Sequence, residues 1–550
     1  MCRGVASREA PIGASGCTPP FPDSYRASGV VLHVTSLPSR YGIGDLGTAA
    51  YQWIDILCDA EQSWWQALPL GPTGYGNSPY QPLSSFAGNW LLISPEELIK
   101  DGLLRLGDCE PKTFSGNFVD YDSVVPFKRS ILAAAWKSFR HGTHAEMRLK
   151  YEEFCERQAH WLEDYALFSA LKARHGGAWY LEWPRELVDR EPRAMNQARR
   201  DLSNEMDRVR FAQFLLSRQA YRLTKYAHSK GLRLMGDLPF FVSPDSSDVW
   251  ANPELFLLDQ EHRPRFVAGV PPDYFSAQGQ LWGNPVYDWD AIRERDYEWV
   301  VNRARALLEH VDAIRLDHFR GFAAAWHVPS GAPTAETGSW VPGPGADLFE
   351  TLERELGYLP FIAEDLGIIT PDVTALRDRF QFSGTRVLQF AFDGSRDNPH
   401  LPHSYPHNVV AYTGTHDNNT TLGWYESLSE DQRWNIWNCL GQHSTEADNV
   451  TAALMQLAWD SPAALAMAPL QDVLNLGAEA RMNVPGQSEG NWRWRCTETM
   501  LSEVGLTGLQ SLTKAAARSS NRGETRNSGS GWVGEEKRMQ ATTKHLNEAI

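Results

Sequence analysis

Three acidic residues, each following a short apolar run, constrain this chain more than any other feature. They are Asp317 in Val311-Asp-Ala-Ile-Arg-Leu-Asp-His-Phe-Arg320, Glu364 in Pro360-Phe-Ile-Ala-Glu-Asp-Leu-Gly367, and Asp417 in Val409-Val-Ala-Tyr-Thr-Gly-Thr-His-Asp-Asn418. Short apolar runs of this kind read as buried parallel strands, and the spacings of 47 and 53 residues between the acids leave room for a helix and a return loop each time. In a (β/α)₈ barrel, acids at the C-terminal ends of strands share one mouth, where the chemistry of that fold takes place. The expected fold class is therefore α/β, a TIM (β/α)₈ barrel with large insertions.

A chain of 550 residues accommodates one such barrel of about 250 residues plus insertions. A net charge of −16 excludes nucleic acid and anionic membranes as partners, because both require a basic surface. Seven scattered cysteines without a C-x-x-C pair suggest neither a disulfide framework nor zinc. The N-terminus has no apolar targeting core, and eighteen apolar residues never run uninterrupted, so a cytoplasmic location is expected. The 21 tryptophans belong mostly to a core, although some of them suit a sugar cleft.

Residues 1–25 read as a flexible leader and 26–513 as the catalytic barrel. Candidate strands are Gly29–His33, Trp64–Leu70, Leu232–Pro239, the three runs ahead of Asp317, Glu364 and Asp417, Thr385–Phe390 and Ala463–Leu470. Charged stretches with helical spacing from about 92 to 225 predict a mostly helical insertion between the second and third strands. A loop-rich active-site insertion is expected at about 240–300. Beyond 513 the chain turns polar, so 514–550 is expected to be a disordered tail, and neither end carries an apolar pattern able to dock.

Cleaving a glycosidic bond with retention needs a carboxylate nucleophile and a protonated acid about 5–5.5 Å apart. Asp317 suits the nucleophile, because Arg315 lies two residues earlier on the same strand face and stabilises a carboxylate there. His318 follows and can bind a hydroxyl. Glu364 suits the acid if burial and neighbouring carboxylates keep it protonated, whereas Asp365 points away and is structural. Asp417, after His416, would be a third carboxylate that binds ring hydroxyls and distorts the sugar.

The chain resembles the amylomaltases, the 4-α-glucanotransferases of glycoside hydrolase family 77, from about Gly29 to Arg495. The likeness rests on His33-Val-Thr-Ser-Leu-Pro-Ser-Arg-Tyr-Gly-Ile-Gly, the Gly71–Gln81 loop, Gly236-Asp-Leu-Pro-Phe-Phe-Val, Asp248-Val-Trp-Ala-Asn-Pro-Glu-Leu-Phe, Gly269–Pro285 and Arg481-Met-Asn-Val-Pro-Gly-Gln. It implies Asp317 as nucleophile, Glu364 as general acid/base and Asp417 as transition-state stabiliser. It also implies sugar contacts from Ser78, Tyr80, Asp237, Asp273, Gln280, Trp282, Arg315, His318 and His416, with Tyr274 and Phe275 on a loop arching over the glucan. Asn419 departs from the Asp that many relatives have there.

The expected activity is transfer of α-1,4-glucan segments from a donor to the 4-OH of an acceptor glucan or glucose through a covalent glucosyl-enzyme, without metal or other cofactor. An α-amylase-like hydrolase and a non-catalytic glucan-binding protein are the alternatives. Oligomeric state is not readable from the residues.

Overall fold

The computed structural model describes residues 19–110, 113–272, 277–441, 450–487, 489–501 and 504–519. Eight parallel strands follow the sequence order: β1 Ala27–Val31, β2 Trp64–Gln66, β3 Arg233–Leu238, β4 Ala313–Leu316, β5 Phe361–Ala363, β6 Gly384–Val387, β7 Val409–Tyr412 and β8 Leu465–Pro469. Each pairs with its neighbour in register, and β8 returns to β1. The remaining seam, β5 to β6, is closed by a parallel bridge between Ile362 and Ser383 and by the Ala363 amide donating to the Ser383 carbonyl at 2.8 Å.

The two-residue period of a strand sorts the side chains. Trp64, Met235, Ala313, Ile362, Val410 and Leu465 pack together inside the barrel with Val31, Val387 and Tyr412. Their neighbours Val30, Trp65, Val409 and Ala466 turn outward against helices, as do Ile314 and Phe361. Two residues beyond the inner apolar layer stand Gln66, Asp237, Arg315 and Glu364. The same alternation that builds the core therefore puts polar groups in the mouth. At Gly29 of β1, a Cβ would meet the Trp64 carbonyl at 2.4 Å, so only glycine permits the close approach of β1 to β2.

Among its described residues the stretch 92–225 carries six shorter α-helices, Tyr121–His141 and Ala159–Arg174 among them, and most of the long helix Ser203–Ser229. That long helix packs on β3 and on the helix Thr48–Asp59, so it is the barrel's own crossover helix, and Tyr121–His141, Ala145–Arg157, Ala159–Arg174 and Pro192–Asp201 are layered on it. The stretch expected to be loop-rich after β3 differs from expectation: Phe266–Val270 and Gln280–Pro285 are antiparallel strands. They join Ala324–Pro329 and Ser339–Pro342, which follow β4, in a four-stranded antiparallel sheet.

Both ends also differ from expectation. Phe21, assigned to the leader, is buried, stacking on Tyr25 and meeting Trp64 edge-on at the base of the barrel. The helix Val504–Ala515 runs past 513, and Arg518, assigned to the tail, is fully buried. Its guanidinium donates to the carbonyls of Trp459, Ala27, Ser461 and Ala463 at 2.6–2.9 Å. These ends carry few apolar residues in sequence, and the contacts that dock them, the Phe21 ring and the Arg518 guanidinium among them, follow no periodicity. Residues 1–18 and 520–550 lie outside the described residues.

Candidate active site

At the C-terminal mouth, β3 and β4 are paired so that Asp237 stands opposite Arg315. Arg315 Nη1 donates to Asp237 Oδ1 and Oδ2 at 2.9 and 2.7 Å and to Asp317 Oδ1 at 3.1 Å, while its Nη2 lies 4.0 Å from Glu364 Oε2. One guanidinium thus gathers three carboxylates from β3, β4 and β5. Tyr80, on the loop after β2, donates its hydroxyl to Asp237 Oδ2 at 2.8 Å. Burial pushes the Asp237 carboxyl up, to about 7, against the pull of Arg315.

Glu364 Oε2 accepts the His318 backbone N–H at 2.7 Å. Burial first, then the charges of Asp317 and Asp417, push its carboxyl up to about 8, while Arg315 opposes. Glu364 is therefore protonated at neutral pH, the state a general acid requires. His318 has φ +45°, a left-handed backbone rare for a non-glycine residue. Its Nε2 is buried without a hydrogen-bond partner, and burial lowers its imidazole to about 4, leaving a neutral ring beside Asp317. Trp282 meets that ring edge-on at 4.9 Å and donates Nε1 to Gln280 Oε1 at 3.2 Å.

Asp417 lies five residues beyond β7, on a loop rather than at a strand end. Its Oδ1 accepts Asn483 Nδ2 at 2.6 Å and lies 3.4 Å from His416 Nε2, and its backbone carbonyl accepts Arg481 Nη2 at 2.7 Å. His416 stacks on Tyr80 at 5.0 Å and 11°. The structure thus brings Tyr80, Asp237, Arg315, Asp317, His318, Glu364, His416 and Asp417 to one mouth, flanked by Gln280 and Trp282. Ser78 sits on the Tyr80 loop, where its hydroxyl accepts the Tyr80 N–H at 3.2 Å. Asp273, Tyr274 and Phe275 lie outside the described residues.

Asp365 is structural, accepting Arg377 and the Thr385 N–H. Asn419 accepts the Thr420 N–H at 2.9 Å and touches none of the acids. Asn483 and Arg481 had no role from sequence, although both fall in one of the motifs quoted above. Among the described residues no group of three or more His, Cys, Asp or Glu is gathered to hold a metal ion, and no helix is long and apolar enough to cross a membrane.

Residues 32–501 match the glycoside hydrolase family 77 profile, described as 4-alpha-glucanotransferase. The 4-alpha-glucanotransferase of a Synechocystis strain is 49% identical over 498 residues, covering 90% of this chain and 98% of that protein. That of Thermus thermophilus is 47% identical over 498 residues, covering 90% and 99%. Among solved structures, the amylomaltase of Streptococcus agalactiae in complex with acarbose superposes with a TM-score of 0.86 at 36% identity, covering 90% of this chain and all of that one. With three acids in one barrel mouth and likeness along nine-tenths of its length, the chain belongs to the 4-alpha-glucanotransferase family, glycoside hydrolase family 77.

Proposed function

We propose that this chain is a retaining 4-α-glucanotransferase in which Asp317 is the nucleophile, Glu364 the general acid/base and Asp417 the stabiliser of the oxocarbenium-like transition state. The observation that carries the assignment is the contrast between two carboxyls beside one guanidinium. Glu364 is driven to its protonated form, while Asp317 has Arg315 at 3.1 Å as a counter-charge.

In the first step the Glu364 carboxyl gives its proton to the glycosidic oxygen as Asp317 Oδ attacks C1. The C1–O bond breaks, the shortened glucan leaves with that proton, and a glucosyl ester remains on Asp317. In the second step the 4-OH of an acceptor glucan or glucose attacks C1, Glu364 takes its proton, and Asp317 is released. Asp417, held by Asn483, faces the charge that develops on the ring. The sugar contacts assigned to Ser78, Tyr80, Asp237, Asp273, Gln280, Trp282, Arg315, His318 and His416 belong to the same proposal. So does covering of the ester by Tyr274 and Phe275, which would favour an acceptor over water. A cytoplasmic location is consistent with Cys109, Cys155, Cys439 and Cys496 being free thiols.

Incubation with maltotriose tests the activity. Transfer yields glucose together with a ladder of longer maltodextrins at constant reducing ends, whereas products no longer than maltose with rising reducing ends mean hydrolysis. Asp317→Asn abolishes both, and retention of near-normal disproportionation by that variant overturns the nucleophile assignment.

A further inference from the structure

Trp492 has φ +62°, in the left-handed region that bulky side chains rarely adopt. It is nevertheless buried, 5% exposed, and both of its backbone polar groups are bonded. Its N–H donates to the Met482 carbonyl at 2.9 Å, and its carbonyl accepts the Tyr121 hydroxyl at 3.0 Å from the helical insertion. Just ahead of it, Asn491 closes the loop by accepting the Val484 N–H at 2.9 Å and donating to the Val484 carbonyl at 3.2 Å. A conformation held from so many directions calls for a reason in what the side chain does.

The indole lies against the Tyr80 ring at 5.8 Å and the His416 ring at 5.9 Å, tilted 43° and 38°. Tyr80 and His416 stack on each other. Trp492 therefore completes a three-ring block made from the loops after β2, β7 and β8. One member of the block holds Asp237 through its hydroxyl, and another precedes Asp417. The same segment supplies Arg481 and Asn483 to Asp417.

We propose that Trp492 is a positioning residue of the transfer reaction: its strained backbone is retained because the indole locks the Tyr80–His416 stack, and through it the Asp237–Arg315 and Asp417 groups, in the geometry of the reacting sugar. The inference rests on the transferase proposal above.

Three substitutions test it, each measured as kcat per folded molecule with maltotriose, with pH profiles of kcat/KM and melting curves. Trp492→Leu keeps apolar volume but loses the flat ring, Trp492→Gly removes the strain together with the ring, and Trp492→Phe keeps a ring. A displacement of about 1 Å of positioned groups costs on the order of 10²-fold in rate, so Trp492→Leu and Trp492→Gly lose about 10- to 100-fold and Trp492→Phe recovers most of that loss.

The pH profile separates positioning from mere packing. His416 is faced by Asp417 on its own loop, by Tyr80, by His33 after β1, and by Arg315 and Asp317 of the β4 segment, and burial lowers its pKa. Loss of the indole lets water reach the imidazole, so His416 takes up a proton at higher pH in the Leu and Gly variants, and the positive charge it then places beside Asp417 and Asp317 moves the acid limb upward. A folded Trp492→Leu protein with the parent kcat and acid limb overturns the proposal, and so does a Trp492→Phe protein no better than Trp492→Leu. An unsubstituted protein that makes no longer maltodextrins refutes the transferase proposal instead, so the two failures are distinguishable.

Discussion

Glu364 is the residue whose chemistry depends most on its surroundings. Under the proposed function, a carboxyl held near pKa 8 gives up the role of acid when it ionises, so turnover of maltodextrins falls above about pH 8. Glu364→Gln loses turnover on maltodextrins at every pH but still accumulates glucosyl-enzyme from an α-glucosyl fluoride, whose leaving group needs little protonation. Equal loss on both donors would remove Glu364 as the acid. The same shift sets a stability signature. The folded pKa lies above the ordinary value of 4.5, so the group's stabilising contribution is fully present below that value and is lost as pH rises through about 8. Glu364→Gln should therefore melt higher than the parent protein at pH 9 and no higher at pH 4, which calorimetry at the two pH values checks.

At the scale of elements, two pieces deserve separate tests. The helix Val504–Ala515 leads to Arg518, whose guanidinium meets carbonyls of the strand β1 and of the segment leading into β8. Hydrogen bonds from a charged group contribute about 1.5–3 kcal/mol each, and a buried carbonyl left without its donor costs about 1–3 kcal/mol. Removing residues 515–550 should lower the melting temperature by several degrees, while removing 520–550 leaves Arg518 in place and should lower it far less. Equal melting of the two truncations would show that the Arg518 contacts contribute nothing. The other piece concerns Tyr274 and Phe275, which follow the strand Phe266–Val270 in sequence and lie outside the described residues. Replacing both rings with Ala should raise reducing-end release per glucose transferred even as total cleavage falls. An unchanged ratio in a folded double variant rules out their covering role.

The whole molecule joins a closed barrel, a helical layer and a small antiparallel sheet around one mouth, and a ligand filling that mouth binds the folded state alone. The Streptococcus agalactiae amylomaltase was solved with acarbose, and under the proposed function the same pseudo-oligosaccharide suits this cleft. Binding to the folded state adds about 2.7 kcal/mol at a ligand concentration 100 times Kd. Acarbose should therefore raise the melting temperature in step with the logarithm of its concentration. A flat response up to millimolar concentration would mean that the mouth does not take an α-glucan analogue.

The barrel and the acids on its strand ends were legible in the residues themselves. Most of the strands announce themselves by a local apolar run, and the two-residue period carries Asp237, Arg315 and Glu364 to the inner side without any distant information. Local pattern is silent on everything that depends on which segments meet. Tyr80 reaches Asp237 from 157 residues away and Asn483 reaches Asp417 from 66 away, and neither pairing leaves a mark in the intervening sequence. The antiparallel sheet was hidden because its strands come from two separate insertions, after β3 and after β4, and only their pairing completes it. The docking of Phe21 and Arg518 was hidden because one ring or one guanidinium has no period. The sequence by itself determined the fold class and the acids; only the tertiary structure decided the protonation of Glu364, since burial and the charges of Arg315, Asp317 and Asp417 around it exist only once distant segments exclude water together.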